Sequence, residues 1–307
     1  MSPSRTHAFV VRAEMNGERL DRALATAVSG MTRGEARRLI SAGVVFVSGK
    51  RTGICSRVVR TGDAITWQAP AEISGAAGVE IKVLLERPGY WIVDKPSGMP
   101  VEPTRGGKVG TLVDVMAHQM GAVPFVTHRL DTATSGLLIV ARTKETQAEL
   151  NGLFAIHAIA RRYLAVVSLN AGTNPPGDEL MRSGRLTIDR PLDGKPAVTH
   201  ATVVARSDFA AALVVDLETG RTRQIRRHLA EAGYPVVGES ASGQRTGGRL
   251  MLHAYRMSLP SRFRDGARDI RATCPTEFRS RMVALGVEVT DEQLESVPPP
   301  PKTRGEL

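Results

Sequence analysis

Apolar residues recur at helical spacing in the first 70 residues of the chain. Leu20, Leu24 and Val28 lie four apart, which predicts one face of a short helix. A second helix should begin at Thr32, because Glu35 follows it at the spacing of a capping box. The segments VVFVSGKRTG and GDAITW then predict strands joined by turns.

Beyond residue 79 the apolar runs are short and strand-like. Arg87-Pro88-Gly89 separates two of them in a hairpin pattern, and later runs read GLLIVA, RYLAVV, VTHATVVA and ALVVDLE. Helical spacing predicts helices over residues 144–157 and 223–232. Many strands and few helices predict an α+β domain, in which peripheral helices pack on a mixed or antiparallel sheet.

These patterns divide the chain into four parts. Residues 1–68 should form a small basic module with its core at 17–68, and residues 80–285 should form the sheet domain. Between them, residues 69–79 are rich in Ala, Gly and Pro, which predicts a linker. The proline-rich end ESVPPPPKTRGEL predicts a disordered tail over residues 286–307.

Composition argues against a membrane or disulfide-rich protein. No apolar run approaches the roughly 18 residues of a membrane span, and the N-terminus lacks the pattern of a signal peptide. Cys55 and Cys274 are the only cysteines and lack the spacing of a zinc or redox motif. We therefore expect a cytoplasmic protein with two inert cysteines.

The charge of the chain is strongly basic. Lys and Arg number 41 against 31 Asp and Glu, giving a net charge of +10 and a pI of about 10.2, which is typical of nucleic-acid-binding proteins. Residues 1–70 hold 11 basic and 5 acidic residues, a net charge of +6. A solvated basic face and an RNA-binding face are both compatible with the group Arg33, Arg37, Arg38, Lys50 and Arg51.

One loop carries a candidate catalytic carboxylate. In HRLDTATSGLLIV, Asp131 follows His128 and Arg129 and precedes small polar residues that favour a turn. The local sequence therefore allows two interpretations of Asp131. It is either a turn residue before a strand or an ionised carboxylate with basic neighbours.

A second candidate segment is the helix start in ETGRTRQIRRHLAEAG. Arg221, Arg223, Arg226 and Arg227 lie in its first turns, where the helix dipole disfavours cations. A phosphate or an acidic side chain should therefore compensate them, unless this is a solvated basic helix end.

Tyr163, in ARRYLAVV, also allows two interpretations. It could be a core ring whose hydroxyl reaches a polar partner. It could instead be an active-site ring that stacks on a base or exchanges a proton.

Two family resemblances bear on these alternatives. The run ERLDRALA…MTRGEARRLISAGVVFVSGK…VRTGDAITW, over residues 17–68, resembles the small RNA-binding module named after a ribosomal protein of the small subunit (the αL module). In that module, two helices and a β-turn present basic residues to RNA. The resemblance favours RNA contacts for the basic group in this region.

The remainder of the chain resembles the RluA-type pseudouridine synthases over roughly residues 80–278. The matching segments, in order, are DKPSGMPV, HRLDTATSGLLIVART, RRYLAVV, GKPAVTHATV, TGRTRQIRRHLAEAGYPVVGE and LMLHAYRMSL. The resemblance implies a pseudouridine synthase domain that isomerises uridine in RNA without cofactor or metal. Because the N-terminal module is common in members that modify large-subunit ribosomal RNA, we expect that RNA or its assembly precursor as the partner of a monomeric enzyme.

The resemblance also implies roles for individual residues. Asp131 would be the catalytic carboxylate, Tyr163 would stack on the uracil and could act as a base, and Arg226 would hold Asp131. Arg129 matches a position that helps to displace or replace the flipped nucleotide.

The chain departs from the family pattern at several positions. Arg223 stands where His is usual, Arg227 where Val is usual, and Asp94 where Asn is common, and no Tyr-Gly pair follows GES. We expect Arg221, Arg223 and Arg227 to contact RNA, so these departures bear on which uridine is modified.

A single carboxylate suits pseudouridine formation. The reaction breaks the bond between uracil N1 and ribose, rotates the base and rejoins it through C5, whereas a glycoside hydrolase needs two carboxyl groups. We expect a bidentate arginine to orient Asp131. The alternatives are a non-catalytic ribosome-associated RNA-binding protein and, with no metal-ligand spacing in its favour, a metal-dependent nuclease that uses Asp131 with His128, His228 and His253.

Overall fold

The computed structural model describes most of the chain, and it falls into two compact units. The described residues are 6–41, 45–68, 79–102, 110–169, 179–239, 248–261, 263 and 269–300. The first unit is drawn from residues 1–80 and 99–123, and the second from residues 81–98 and 124–307. Apart from residue 79, the expected linker lies outside the described residues. No helix in the described ranges is long and apolar enough to cross a membrane.

The first unit contains a four-stranded antiparallel sheet. Its strands are β1 (Thr6–Val10), β2 (Val45–Val47), β3 (Lys50–Thr52) and β4 (Ala64–Gln68), in the order β1-β4-β2-β3. Its helices are α1 (Leu20–Ala27), α2 (Arg33–Ser41) and α3 (Leu112–Met120). Strand β1 and helix α3 have no counterpart among the elements expected from the sequence.

The periodic positions of this unit form its core, as predicted. Leu20 and Leu24 of α1 and Ile40 of α2 are fully buried in one apolar cluster. The capping box also forms, because the Thr32 amide donates to the Glu35 carboxylate at 2.7 Å and the Glu35 amide donates to Thr32 Oγ1 at 3.2 Å.

Ten described strands of the second unit form one sheet. Its main order is β10-β11-β12-β9-β13-β8-β6-β5, with β7 beside β8 and β14 beside β13. The strands are β5 (Lys82–Arg87), β6 (Tyr90–Lys95), β7 (Phe125–Val126), β8 (Ser135–Ala141), β9 (Ala160–Ser168), β10 (Arg185–Asp189), β11 (Val198–Arg206), β12 (Ala210–Leu217), β13 (Leu252–Ser258) and β14 (Ile270–Arg271). Among the described pairings only β8 with β13 is parallel, which confirms the predicted mixed sheet.

Five described helices accompany this sheet. They are α4 (Lys144–Ala155), α5 (Glu179–Ser183), α6 (Gln224–Glu231), α7 (Thr276–Ala284) and α8 (Asp291–Ser296). Helices α4 and α6 correspond to the two predicted helices. The first ends two residues early, and His157, expected inside it, has a left-handed φ of 56°.

The C-terminal segment differs from the expected disordered tail, because α8 forms within it. The Gln293 amide donates to Thr290 Oγ1 at 3.2 Å, and the Gln293 side chain accepts the Thr290 amide at 2.8 Å, which caps the helix. The carbonyl of Val297 then accepts a hydrogen bond from Arg162 of β9 at 2.8 Å. The proline run suggested disorder, but a capping box precedes it and its first residues bind the sheet. Residues 301–307 lie outside the described residues.

Candidate active site

Asp131 lies in the turn that leads into β8. Its carbonyl accepts the Thr134 amide at 3.0 Å, so the backbone makes the turn and the carboxylate takes no part in it. The side chain is 26% exposed and accepts a hydrogen bond from Arg226 Nη1 at 3.0 Å. The turn interpretation therefore holds for the backbone of Asp131, while its side chain contacts α6.

Two side chains that precede Asp131 anchor this loop to β8. Thr127 Oγ1 donates to the Ile139 carbonyl at 2.7 Å, and His128 Nε2 accepts the Ile139 amide at 3.2 Å. Burial lowers the pKa of His128 to about 3, and the charge of Arg161 adds to this effect. His128 is therefore a neutral anchor and not a cationic neighbour of the carboxylate.

A buried lysine of β6 supports the other side of the loop. Lys95 Nζ donates to the carbonyls of Pro96 at 2.9 Å and Thr132 at 3.2 Å. Burial lowers the pKa of Lys95 to about 7, although the negative charge of Asp131 opposes that shift. Lys95 reaches the loop because it pairs in register with Gly136 of β8, a contact that local sequence patterns do not reveal.

Gly136 lets β8 approach β13 closely. It has a φ of 108°, and a Cβ at this position would lie 2.2 Å from the Ala254 carbonyl oxygen. The preceding Ser135 Oγ is hydrogen-bonded to His253 Nδ1 at 2.8 Å. The Ser-Gly pair after the Asp131 loop is therefore explained by the contact between these two strands.

Arg226 extends from the first turn of α6 to two carboxylates. Its Nη1 contacts Asp131, whereas its Nε and Nη2 donate to the two carboxylate oxygens of Glu239. Arg226 and Glu239 are 15% and 19% exposed, and the hydrogen bonds that Arg226 donates to Glu239 and to Asp131 raise its pKa despite its burial. The expected bidentate contact is thus made to Glu239, and the expectation that it is made to Asp131 is wrong.

Gln224 fixes the chain just before Arg226. Its Oε1 accepts the Arg221 amide at 2.9 Å and the Thr219 hydroxyl at 2.7 Å, and its Nε2 donates to the Val198 carbonyl at 2.9 Å. Because Gln224 is buried and tied to β11, the start of α6 has one defined position. These hydrogen bonds fix the backbone position from which the Arg226 side chain extends.

The other arginines at the start of α6 have different surroundings. Arg227 Nη1 lies 2.9 Å from Asp193, and Arg221 Nε donates to the Pro196 carbonyl at 2.9 Å. Arg223 is exposed in a left-handed conformation, with no acidic partner in the part of the chain that the structure describes. The expected anionic compensation therefore comes from acidic side chains for Arg226 and Arg227.

Tyr163 lies on β9, paired with Val215 of β12 and Ala254 of β13. It is only 5% exposed, and burial raises the pKa of its hydroxyl, an effect that Asp131 increases and Arg161 opposes. The phenol therefore stays protonated at neutral pH. Asp131 contacts Arg226 directly, and its charge adds to the effect of burial on the pKa of Tyr163.

In the first unit, one carboxylate gathers three arginines. Asp21 is fully buried and accepts hydrogen bonds from Nε of Arg19 at 3.2 Å, Arg33 at 3.1 Å and Arg37 at 2.6 Å. Burial alone would raise the pKa of Asp21, but these hydrogen bonds hold it well below its usual value. About half of each arginine side chain remains exposed.

The remaining sequence-predicted RNA contacts are surface residues or lie outside the description. Lys50 and Arg129 are exposed. The side chains of Arg38 and Arg51 lie outside the described part of the structure.

The histidines considered as metal ligands have other partners. His228 is buried, with Nδ1 2.9 Å from Thr199 Oγ1 and Nε2 3.0 Å from the Arg190 carbonyl, and burial lowers its pKa. His128 and His253 bond to β8, as described above. Among the described residues, no three His, Cys, Asp or Glu side chains are grouped to hold a metal ion.

The chain matches two protein families. The family described as RNA pseudouridylate synthase matches residues 89–231, and the S4 domain matches residues 18–65. A ribosomal large subunit pseudouridine synthase D from Zymomonas mobilis subsp. mobilis is 33% identical over 275 residues, covering 83% of this chain and 85% of the relative. The protein of the same name from Xanthomonas campestris pv. campestris is 35% identical over 246 residues, covering 76% and 74%.

Two solved structures share the fold. They are human RNA pseudouridylate synthase domain containing 4, with a TM-score of 0.55 at 20% identity, and domain containing 1, with 0.54 at 21%. Each covers 72% of this chain, and the matches span 98% and 97% of those proteins. The likeness confirms the mixed α+β architecture.

Proposed function

Since the chain belongs to the RNA pseudouridylate synthase family, we propose that it converts uridine to pseudouridine in large-subunit ribosomal RNA with Asp131 as the essential carboxylate. The observation that carries this proposal is the ion pair of one part-exposed carboxylate, Asp131, with Arg226. The charge of Asp131 also acts on the buried Tyr163. The S4 domain and the net charge of +10 support an RNA partner. The names of the two bacterial relatives support the ribosomal substrate.

Asp131 supplies the charged oxygen on which the reaction depends. Its ion pair with Arg226 orients the carboxylate through Oδ2, and the described residues give its Oδ1 no hydrogen bond, so this oxygen remains for the nucleotide. Attack on the base, attack on the ribose and removal of a ribose proton each use this oriented carboxylate. In every case the N1–C1′ bond breaks and a C5–C1′ bond forms, while C5 loses a proton and N1 gains one.

Tyr163 forms one wall of the proposed uridine site. Because burial raises its pKa, the neutral phenol is better suited to stacking on the uracil than to acting as a base. Stacking also offsets the cost of extruding the target base, which is a few kcal/mol.

The apolar strand that follows Asp131 limits access of water. Residues 137–140 of β8 are fully buried. The detached base must rejoin the ribose before water reaches the ribose. Exclusion of water by this buried strand therefore favours isomerisation over hydrolysis. The exposed Arg129, in the same loop, can take the position that the flipped nucleotide leaves.

The test is Asp131→Asn, which keeps the shape of the side chain and removes its charge. We expect no pseudouridine in a large-subunit RNA substrate, measured by mass spectrometry, and nearly unchanged RNA affinity. Full activity of the variant would overturn the proposed role of Asp131. Mapping pseudouridines in cells with and without the protein tests the substrate separately, because a change confined to other RNAs would contradict only the ribosomal assignment.

We also propose that the enzyme acts as a monomer in the cytoplasm. Light scattering during size exclusion should then give a mass near 33.0 kDa. A mass near twice that value would contradict the monomer.

A further inference from the structure

Glu239 makes the more extensive contact with Arg226. Both of its carboxylate oxygens accept N–H groups of the guanidinium, whereas Asp131 accepts one. Glu239 is also the first cause of the raised pKa of Arg226. The orientation of this arginine therefore depends more on Glu239 than on the proposed catalytic carboxylate.

The backbone before Glu239 is held against β9, the strand that carries Tyr163. Val236 forms a β-bridge with Val167, and the Val237 amide donates to the Val166 carbonyl at 2.8 Å. The Glu239 amide then donates to the Val236 carbonyl at 2.9 Å, which turns the chain. Glu239 is thus attached to the rigid sheet and has a defined position.

A guanidinium is planar, and its donors form a rigid fork. With Nε and Nη2 engaged by Glu239, the plane of Arg226 is set and Nη1 contacts Asp131 from one side. A guanidinium held by Asp131 alone could turn and bind both of its oxygens, because bidentate pairing is the preferred geometry of arginine with a carboxylate. That rearrangement would occupy the oxygen left for the nucleotide.

The charges lead to the same conclusion. Arg226 carries one positive charge between two carboxylates, so the three side chains together keep a net charge of −1 when both acids are ionised. Without Glu239, Asp131 would be the one carboxylate left paired with the Arg226 guanidinium, so the whole positive charge of Arg226 would be directed at Asp131.

We propose that Glu239 is a positioning residue for pseudouridine formation, which orients Arg226 so that a single N–H contacts Asp131. The proposal rests on the proposed function, in which Asp131 is the essential carboxylate. Glu239 acts through Arg226 and does not itself need to touch the uridine.

The first test is Glu239→Gln, measured as a single-turnover rate on a large-subunit RNA substrate together with the Kd for that RNA. We expect the rate to fall roughly 10- to 100-fold with an unchanged Kd, because small displacements of a catalytic group have effects of that size. Glu231→Gln is the matched control, since Glu231 lies at the far end of α6 and pairs with the exposed Arg190. It should keep the wild-type rate.

The result that overturns the proposal is a wild-type rate in Glu239→Gln while Asp131→Asn is inactive. If the wild-type protein forms no pseudouridine, or if Asp131→Asn is fully active, the proposed function itself fails. The two failures are therefore distinguishable.

A second comparison separates positioning from a purely structural effect. In an Arg226→Lys background the planar fork is gone, so adding Glu239→Gln should slow the reaction no further. A further loss as large as in the wild-type background would show that Glu239 acts independently of Arg226, which contradicts the proposal. The shorter Glu239→Asp should give a rate between those of wild type and Glu239→Gln. All rates are measured below the melting temperature of every variant.

Discussion

Asp21 and Asp131 are both paired with arginine, but their surroundings suit different tasks. Asp21 is fully buried and accepts three guanidinium N–H groups, so its oxygens are occupied by the arginines that it holds. Asp131 is partly exposed and accepts one N–H group. At the scale of single residues, the number of donors around a carboxylate separates one that positions other side chains from one that remains available for chemistry.

Lys95 should make the stability of the fold depend on pH. The pKa of an unfolded lysine is about 10.4, and burial lowers the pKa of Lys95 to about 7. Between these values the unfolded chain binds more protons than the folded chain, so this group makes the free energy of unfolding rise with pH. The charges of Asp131 and Asp94 oppose the effect of burial on the pKa of Lys95, and the charge of Arg249 adds to it, but burial remains the largest effect.

The measurement is denaturant unfolding of wild type and Lys95→Met from pH 7 to pH 10. We expect the difference between the two proteins to change in favour of wild type as pH rises, because only wild type carries this lysine. The same substitution at the exposed Lys82 controls for the loss of one positive charge. A difference that stays constant over the whole range would contradict the depressed pKa.

At the scale of elements, local patterns predicted those with strong internal signals. The capping box at Thr32 predicted α2, and the Pro88-Gly89 turn predicted the β5–β6 hairpin. Helices α3 and α8 also begin with capping boxes, at Thr111 and Thr290, but the first lies outside any predicted element and the second lies beside a proline run. A motif that allows Asp, Glu or Gln three residues after the Thr covers both helix starts.

Lys95 and Glu239, which complete the site, have no such local signal. Arg226 meets Asp131 across 95 positions of sequence, and the β8–β13 pairing joins segments that are more than 100 residues apart. Lys95 and Glu239 matter because strand order brings them to the loop and to α6. The residue pattern within one segment does not determine the order of the strands. Only the structure therefore identifies Lys95 and Glu239 as part of the site.

The parallel contact of β8 with β13 should fail if Gly136 gains a side chain. A Cβ there would lie 2.2 Å from the backbone oxygen of Ala254, and a φ of 108° is strained for alanine. We expect Gly136→Ala to destabilise the protein by about 3 kcal/mol or more, since neither strand can move without breaking the sheet. Thermal melting measures the effect.

Gly152→Ala is the matched control for that substitution. Gly152 lies within α4, and among the described residues no atom beyond the backbone of its own helix lies within 4 Å of the position that a Cβ would take. Alanine should therefore stabilise the helix by about 0.5–1 kcal/mol. The two variants should shift the melting temperature in opposite directions. A neutral result for Gly136→Ala would mean that the strands do not approach as closely as described.

At the scale of the whole molecule, the positive charge is unevenly distributed. Residues 1–70 carry a net charge of +6 out of +10, and part of it is the arginine group held by Asp21. Nonspecific attraction to RNA would depend on the total charge, whereas a defined phosphate-binding surface would depend on where the charges lie. These two cases make different predictions for variants of equal net charge.

Arg33→Gln with Arg37→Gln lowers the net charge from +10 to +8, and so does Arg256→Gln with Arg271→Gln. The pairs are matched because each consists of two arginines that share one aspartate, Asp21 in the first unit and Asp269 in the second.

If the S4 domain binds phosphates through its helices, only the first pair should flatten the salt dependence of RNA affinity. The log–log slope should then change by about 0.7–0.9 for each phosphate that the variant no longer neutralises. Filter binding from low to moderate salt measures this slope. Equal flattening by both pairs would instead show that affinity follows total charge, so that the arginines around Asp21 act only as part of a general positive field.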